Sequence, residues 1–248
     1  MMARNVLLIC QSFYPENLPG TQRIGKLAKY LPKYGWTPVV LAGKAIGESI
    51  DNSTDESLLG EVNYQVSEFH YRLPPAGSFR KALHHYLVWK LLPAREPFVL
   101  YRGLIRQGRE LLRKQHFDAI WATSPFLTAL NVANKLSHEF SIPWVADLRD
   151  LIHDMTEHMN ALYRWHVRVE TGICNQAAAV ITVTQSFADT LKKRLAKPVY
   201  LVHNGFDPDD FPKPGEKGAS TGFFDIVYSG ALYADRNPTP LLDRKSVV

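Results

Sequence analysis

Asp147-Leu148-Arg149-Asp150 sets two carboxylates and a guanidinium directly after the apolar triplet Trp144 to Ala146. With the triplet read as a buried strand, these charges stand at its mouth, where desolvation makes each one expensive unless it is paired. Two roles fit: a structural ion pair that holds the loop, or a polar grip that orients substrate hydroxyls. Gly20-Thr21 opens a helical pattern, so unpaired backbone N–H groups and the positive end of the helix dipole would face outward there. Such a place is a seat for a diphosphate or a plain turn before a helix. Thr123-Ser124-Pro125 and Thr184-Gln185 likewise follow short apolar runs. In open α/β sheets ligands bind beyond the carboxyl ends of the strands, so all these loops are expected to face one cleft.

Better-known phosphate and metal motifs are excluded. No G-x-G-x-x-G is present, which argues against a dinucleotide site. Gly20 to Lys26 spells G-x-x-x-x-G-K, but Leu27 stands where a Mg²⁺-binding hydroxyl is required, and Gly25 falls inside an amphipathic helix, so the match is read as chance. His153, Asp154, Glu157 and His158 lack the H-E-x-x-H spacing, so no metal is predicted and they read as exposed polar helix residues. Cys10 and Cys174 have neither metal-ligand spacing nor a disulfide framework, which suits a reducing cytoplasm.

The elements that must position these residues alternate as a parallel sheet with crossover helices requires. Strands are expected at Val6 to Cys10, Pro38 to Leu41, Tyr64 to Phe69, Ala119 to Ala122, Trp144 to Ala146, Ala179 to Val183 and Val199 to Val202. Pro38 fits a central strand badly and leaves that boundary open. Ile24, Leu27, Ala28 and Leu31 give the i, i+3, i+4, i+7 stripe of a helix ending at Gly35. Phe187, Leu191 and Leu195 repeat the pattern after Thr184, a candidate N-cap.

Composition narrows the class. The chain has 248 residues, of which 46% are hydrophobic and 21% charged, as in ordinary globular proteins, and no run nears the ~18 apolar residues of a membrane span. The apolar run Val6 to Cys10 is too short for the core of a signal peptide, roughly 7 to 15 residues, and reads as a buried strand. Net charge is +5, yet Arg80 to Gln115 holds nine Lys or Arg against Glu96 and Glu110, so the basicity is local. Arg102, Arg106, Arg109 and Arg113 recur at helical spacing, opposite Leu104, Ile105, Leu111 and Leu112. That stripe is a solvated helix face or a docking surface for an anionic membrane. Nucleic acid is not predicted, because no aromatic and basic interleaving accompanies the charge.

From His203 to Gly222 prolines and glycines alternate, which marks a linker. The expected organisation is a domain at 1–202, a linker at 203–222, and the opening of a second domain at 223–248. That last stretch is too short to bury a core of its own, so a truncation or a foreign tail is expected at the end.

Ser12-Phe13-Tyr14-Pro15, Pro19-Gly20-Thr21-Gln22-Arg23, Leu27 to Leu31 with Gly35-Trp36, FDAIWATSP (117–125), IPWVADLRD (142–150), Val180 to Thr184 and His203-Asn204-Gly205-Phe206-Asp207 occur in that order. Together with Tyr228-Ser229-Gly230 and Arg236-Asn237-Pro238, they resemble the family 4 group of retaining glycosyltransferases, which have the two-Rossmann GT-B architecture. The resemblance implies an α/β, Rossmann-like doubly wound N-terminal domain that holds the acceptor and a second domain that holds the sugar nucleotide. It implies that Gly20, Thr21, Gly230 and Arg236 approach the donor diphosphate. Thr123, Ser124, Asp147, Arg149, Asp150 and Thr184 would line the acceptor side, and Asn204, Gly205 and Asp207 would form the interdomain hinge. It also implies a nucleotide-sugar co-substrate without further cofactor or metal; the cysteine usage and the basic stretch Arg80 to Gln115 give the expectation of a cytoplasmic protein, peripheral on the inner face of the membrane.

The family's paired Glu, spaced E-x7-E, belongs to the second domain and does not follow the linker. Glu48 and Glu56 have that spacing but lie in a polar loop of the first domain, a coincidence. The isolated chain is therefore expected to transfer little or no sugar. Two other readings stay open: a non-catalytic module that captures a glycan or lipid-linked acceptor, and a nucleotide-sugar-modifying enzyme or dehydrogenase on a similar sheet.

Overall fold

The computed structural model describes residues 4–14, 19–46, 65–72, 98–124, 127–151 and 161–211. Met1–Asp210 form one compact unit and Phe211–Val248 a second. The expected helix around His153 to His158, the polar loop with Glu48 and Glu56, and both Gly230 and Arg236 lie outside the described residues.

The strands are β1 (Arg4–Cys10), β2 (Trp36–Ile46), β3 (Gln65–Arg72), β4 (Ala119–Thr123), β5 (Trp144–Leu148), β6 (Ala179–Thr182) and β7 (Val199–Leu201). The helices are α1 (Pro19–Tyr30), α2 (Phe98–Lys114), α3 (Leu127–Phe140), α4 (Ala161–Cys174) and α5 (Gln185–Arg194). The described strands pair in parallel in the order β3-β2-β1-β4-β5-β6-β7. Each expected strand is present. The chain runs outward from β1 to β3 and then returns to β4 beside β1, so the switch point lies between β1 and β4. A crevice opens at the carboxyl ends of strands at such a reversal.

β1 shows why this sheet is a double-faced core. Val6 to Cys10 are all buried, and successive side chains point to opposite faces. Leu7 and Ile9 join Val39, Leu41, Leu104, Leu130 and Ile120 on one side. Val6, Leu8 and Cys10 meet Ile24 and Ala28 of α1 on the other. Fully burying each aliphatic side chain contributes about 1.5–3 kcal/mol, so both layers are needed to hold the strand ends in place.

Pro38 lies inside β2, where it pairs with Val6 of β1. β3 joins only from Val39 onward, so the proline sits where the strand has a neighbour on one side alone, the setting a missing N–H tolerates. Gly35 ends the α1 pattern in the left-handed region at φ 78°, which glycine adopts without steric cost. Gly25 faces the buried Tyr14 ring so closely that a Cβ there would stand 2.1 Å from Tyr14 Cε2. Close packing accounts for that glycine.

Candidate active-site cleft

The cleft is built from the strand ends upward. β5 delivers Asp147 wholly buried, and a buried carboxylate needs partners. Arg23 of α1 supplies them in a fork: its Nε donates to Asp147 Oδ2 at 2.9 Å and its Nη2 to Oδ1 at 3.0 Å. Thr123, at the end of β4, donates its hydroxyl to Oδ2 at 3.1 Å. The fork geometry is specific to a guanidinium. Asp147 is thus the structural partner of a residue 124 positions away, with its charge neutralised at the cleft floor.

One residue beyond β4, Ser124 is almost fully buried and stitches the neighbouring strand end. Its N–H donates to the Asp147 carbonyl at 2.9 Å, its hydroxyl accepts from the Arg149 N–H at 3.1 Å, and its carbonyl accepts from Arg149 Nε at 2.6 Å. Arg149 is thereby aimed at α1. A Cβ built on Gly20 would lie 2.9 Å from its Nη2 and 3.2 Å from its Nη1, so the missing side chain lets the guanidinium rest against the opening of the helix. Burial draws Arg149 below the usual guanidinium value, while the charges of Asp147 and Asp150 act in the opposite sense. An arginine starting above 12 stays cationic at neutral pH. A desolvated positive charge and the N-terminus of α1 therefore face the same point of the crevice.

The remaining expected residues take distinct places. Thr21 is wholly buried. Asp150 is exposed beside Arg149. Thr184 lies on the same strand-end edge, where its hydroxyl caps α5 by accepting from the Phe187 N–H at 3.3 Å. Asn204 Oδ1 accepts from Arg23 Nη1 at 3.2 Å, and Gly205 is exposed. Asp207 is buried against α1, receiving Lys26 Nζ and Lys29 Nζ, each at 2.7 Å, and the Tyr30 hydroxyl at 2.6 Å. Burial by itself would raise the Asp207 pKa, but those three donors hold it well below the usual carboxylate range.

Gly20, Ser124, Asp147 and Arg149 therefore converge around one point. Arg23, Lys26, Lys29 and Tyr30 were assigned no role from the sequence, although Arg23 and the stretch Leu27 to Leu31 lie in the family-like segments; the spacing of 23, 26 and 30 sets them on one helix face. Among the described residues, no group of three or more His, Cys, Asp or Glu could hold a metal ion. None of the described helices is long and apolar enough to cross a membrane.

Comparisons with known proteins bear on this arrangement. Sucrose-phosphate synthase from Thermosynechococcus elongatus superposes with a TM-score of 0.55 at 13% identity, over 82% of this chain and 49% of that one. Arabidopsis thaliana UGT89C1 complexed with UDP-L-rhamnose superposes with a TM-score of 0.50 at 16% identity, again over 82% of this chain and 49% of that one. The chain thus spans about half the length of these two structures, and at these identities the likeness establishes the fold: the α/β, Rossmann-like sheet of GT-B proteins. A search of curated protein sequences returned no significant match. The model of Glycosyltransferase Family 4 matches residues 21–210, from the opening of α1 to the segment beyond β7, and the chain belongs to that family.

Proposed function

We propose that this chain forms the acceptor side of a glycosyltransferase that moves a sugar from a nucleotide-sugar donor to a glycan or lipid-linked acceptor in cell-surface polysaccharide or glycolipid synthesis. The observation that carries this reading is the contact of the Arg149 guanidinium with Gly20 at the opening of α1, beside the β1/β4 switch point. Departure of a sugar from a diphosphate concentrates negative charge on the leaving oxygens. A fixed cation in a partly dry cleft stabilises that charge with little reorganisation. Gly20 and Thr21 would receive the diphosphate on the helix N-terminus, with Gly230 and Arg236 approaching from the second domain. Because the Asp147 carboxylate is wholly buried and held by Arg23 and Thr123, and Ser124 is buried and bonded to Arg149, direct contact with the ligand falls to Arg149 and Asp150, with Ser124 orienting Arg149. Asp147 and Thr123 would fix the floor, Thr184 the far rim, and Asn204, Gly205 and Asp207 the passage to the second domain. Catalysis would then be alignment and charge stabilisation, with retention at the transferred carbon and without a required metal.

Isothermal titration of the 248-residue chain with UDP and with a UDP-sugar tests the reading. Saturable binding is expected, with Arg149→Ala weakening it about tenfold or more, the range for a lost charge-assisted contact. No saturable binding, or equal affinity in the variant, would overturn it. Saturation by NAD instead would favour the dehydrogenase class.

For its localisation we propose a cytoplasmic protein, peripheral on the inner face of the membrane through α2. In support, Arg102, Arg106 and Arg113 of that helix are exposed; Arg109 forms a bidentate pair with Glu139. Exposed Lys and Arg near anionic lipid contribute about 1 kcal/mol each. Flotation with vesicles rich in phosphatidylserine should therefore be lost in Arg102→Glu/Arg106→Glu and weakened by salt. Flotation unchanged in that variant would remove α2 as the contact.

A further inference from the structure

One face of α1 is fastened along the chain that leaves β7. Arg23, Lys26 and Tyr30 recur at i, i+3 and i+7, with Lys29 flanking them, and each engages residues between Val202 and Asp210. The first fastening is the informative one. Arg23 has five N–H donors, and five contacts account for them. Two go to Asp147, at 2.9 and 3.0 Å. The others go to the Val202 carbonyl at 3.3 Å, the His203 carbonyl at 3.4 Å and Asn204 Oδ1 at 3.2 Å. The short, charge-assisted side is the carboxylate of the cleft floor, and the longer side is the departing chain. The carboxylate therefore sets the orientation of the guanidinium, and the guanidinium sets the path of the chain.

We propose that Arg23 is a positioning residue that couples the floor of the cleft to the segment 202–210, so that a change at Asp147 is felt at residues Asp147 does not touch. The consequence is a mechanical link from the cleft to the chain that runs on toward the second unit, whatever ligand the cleft takes. The inference does not depend on the identity of the donor. The second fastening, around Asp207, holds the same segment independently, through Lys26, Lys29 and Tyr30.

The test uses Phe206, which is 77% exposed between the two fastenings. Chymotrypsin requires an extended stretch, so cleavage after Phe206 reports the population in which the segment has lifted off. Cleavage of the 248-residue chain would be followed by mass in wild type, Asp147→Asn, Arg23→Lys, the double variant of these two, Asp207→Asn and Asp147→Asn/Asp207→Asn. Amide exchange at Val202, bonded to the Thr182 carbonyl, would be read beside that of β1 amides, which report global opening. Asp147→Asn should speed cleavage about three- to tenfold, and Arg23→Lys should do the same, the span expected for residues in one hydrogen-bond network. The double variant should be no faster than Arg23→Lys alone, because the path from Asp147 runs through that guanidinium. Asp207→Asn should multiply the effect of Asp147→Asn, since the second fastening is separate. Should Asp147→Asn fail to fold, Thr123→Val removes one bond to the same carboxylate and should raise exchange at Val202 relative to β1. Cleavage at the wild-type rate in folded Asp147→Asn, or a full additional acceleration by Asp147→Asn in the Arg23→Lys background, would overturn the proposal.

Discussion

Asp207→Asn should lower the unfolding free energy by about 3 kcal/mol at neutral pH, the penalty for breaking a buried ion pair from one side. The carboxylate is 3% exposed as a residue and accepts from Lys26, Lys29, Tyr30 and the Asp209 N–H. An amide of the same shape removes the shared buried counter-charge and leaves Lys26 with Asp210 and Lys29 with the exposed Asp209 as their remaining carboxylate partners. In a chain of this size each kcal/mol moves the midpoint about 2–4 °C, so a loss of roughly 6–12 °C is expected in thermal melts. The pH dependence follows from the direction of the shift. The folded pKa of Asp207 is depressed, so its contribution is complete above the unfolded carboxylate value, about 3.9. It is lost as pH falls through that value toward the folded one. Lys29 is raised by its bonds to Asp207 and Asp209, so its share is complete below about 10.4 and is lost as pH rises beyond it. The gap between wild type and variant should therefore be flat from about pH 5 to 10 and narrow below about pH 4. A gap that widens in acid would contradict the ion-pair account.

Arg23→Met carries the other large effect. It leaves Asp147 wholly buried with only the Thr123 hydroxyl as a side-chain partner, at a cost of about 3–5 kcal/mol. Arg23→Lys should recover a part of this, since an ammonium restores charge without the two-pronged fit. The diagnostic result is the rescue: Arg23→Met/Asp147→Asn should be more stable than Arg23→Met alone, because the second change removes the uncompensated charge. Urea unfolding monitored by far-UV circular dichroism resolves the four states. If the double variant is instead less stable than either single one, the cleft-floor carboxylate is not the source of the penalty.

The sheet was legible because β1, β4, β5 and β6 are short apolar runs whose side chains are mostly buried, a pattern that depends on nearest neighbours in the sequence. β1 was read from Val6; it begins at Arg4 because the Gly35 carbonyl and the Asp118 carboxylate accept the N–H groups of Arg4 and Asn5. β2 was read as ending at Leu41 and continues to Ile46, carried by its pairing with β3. Both extensions come from partners distant in sequence. The strand-end residues Gly20, Ser124, Asp147 and Arg149 could be nominated because topology alone sends them to one edge. Their mutual roles could not. Asp147 could be read either as half of an ion pair or as a grip on substrate, and its partner Arg23 appeared only as the end of the family-like segment Pro19 to Arg23. The pairing of Lys26, Lys29 and Tyr30 with Asp207 joins residues 177 to 181 positions apart, beyond the reach of any periodicity. The P-loop-like spacing at Gly25-Lys26 is explained by the same contacts: the glycine gives way to Tyr14 and the lysine turns to Asp207.

In the proposed function, the strand-end residues around the β1/β4 switch point form the ligand site. An amide-resolved NMR footprint of a UDP-sugar on the isotopically labelled chain tests that assignment. The largest shifts should fall on Gly20, Thr21, Ser124 and Arg149, with smaller ones at Asp150. A footprint centred instead on Gly35, Ile142 or Lys197, at the opposite ends of the strands, would contradict the account.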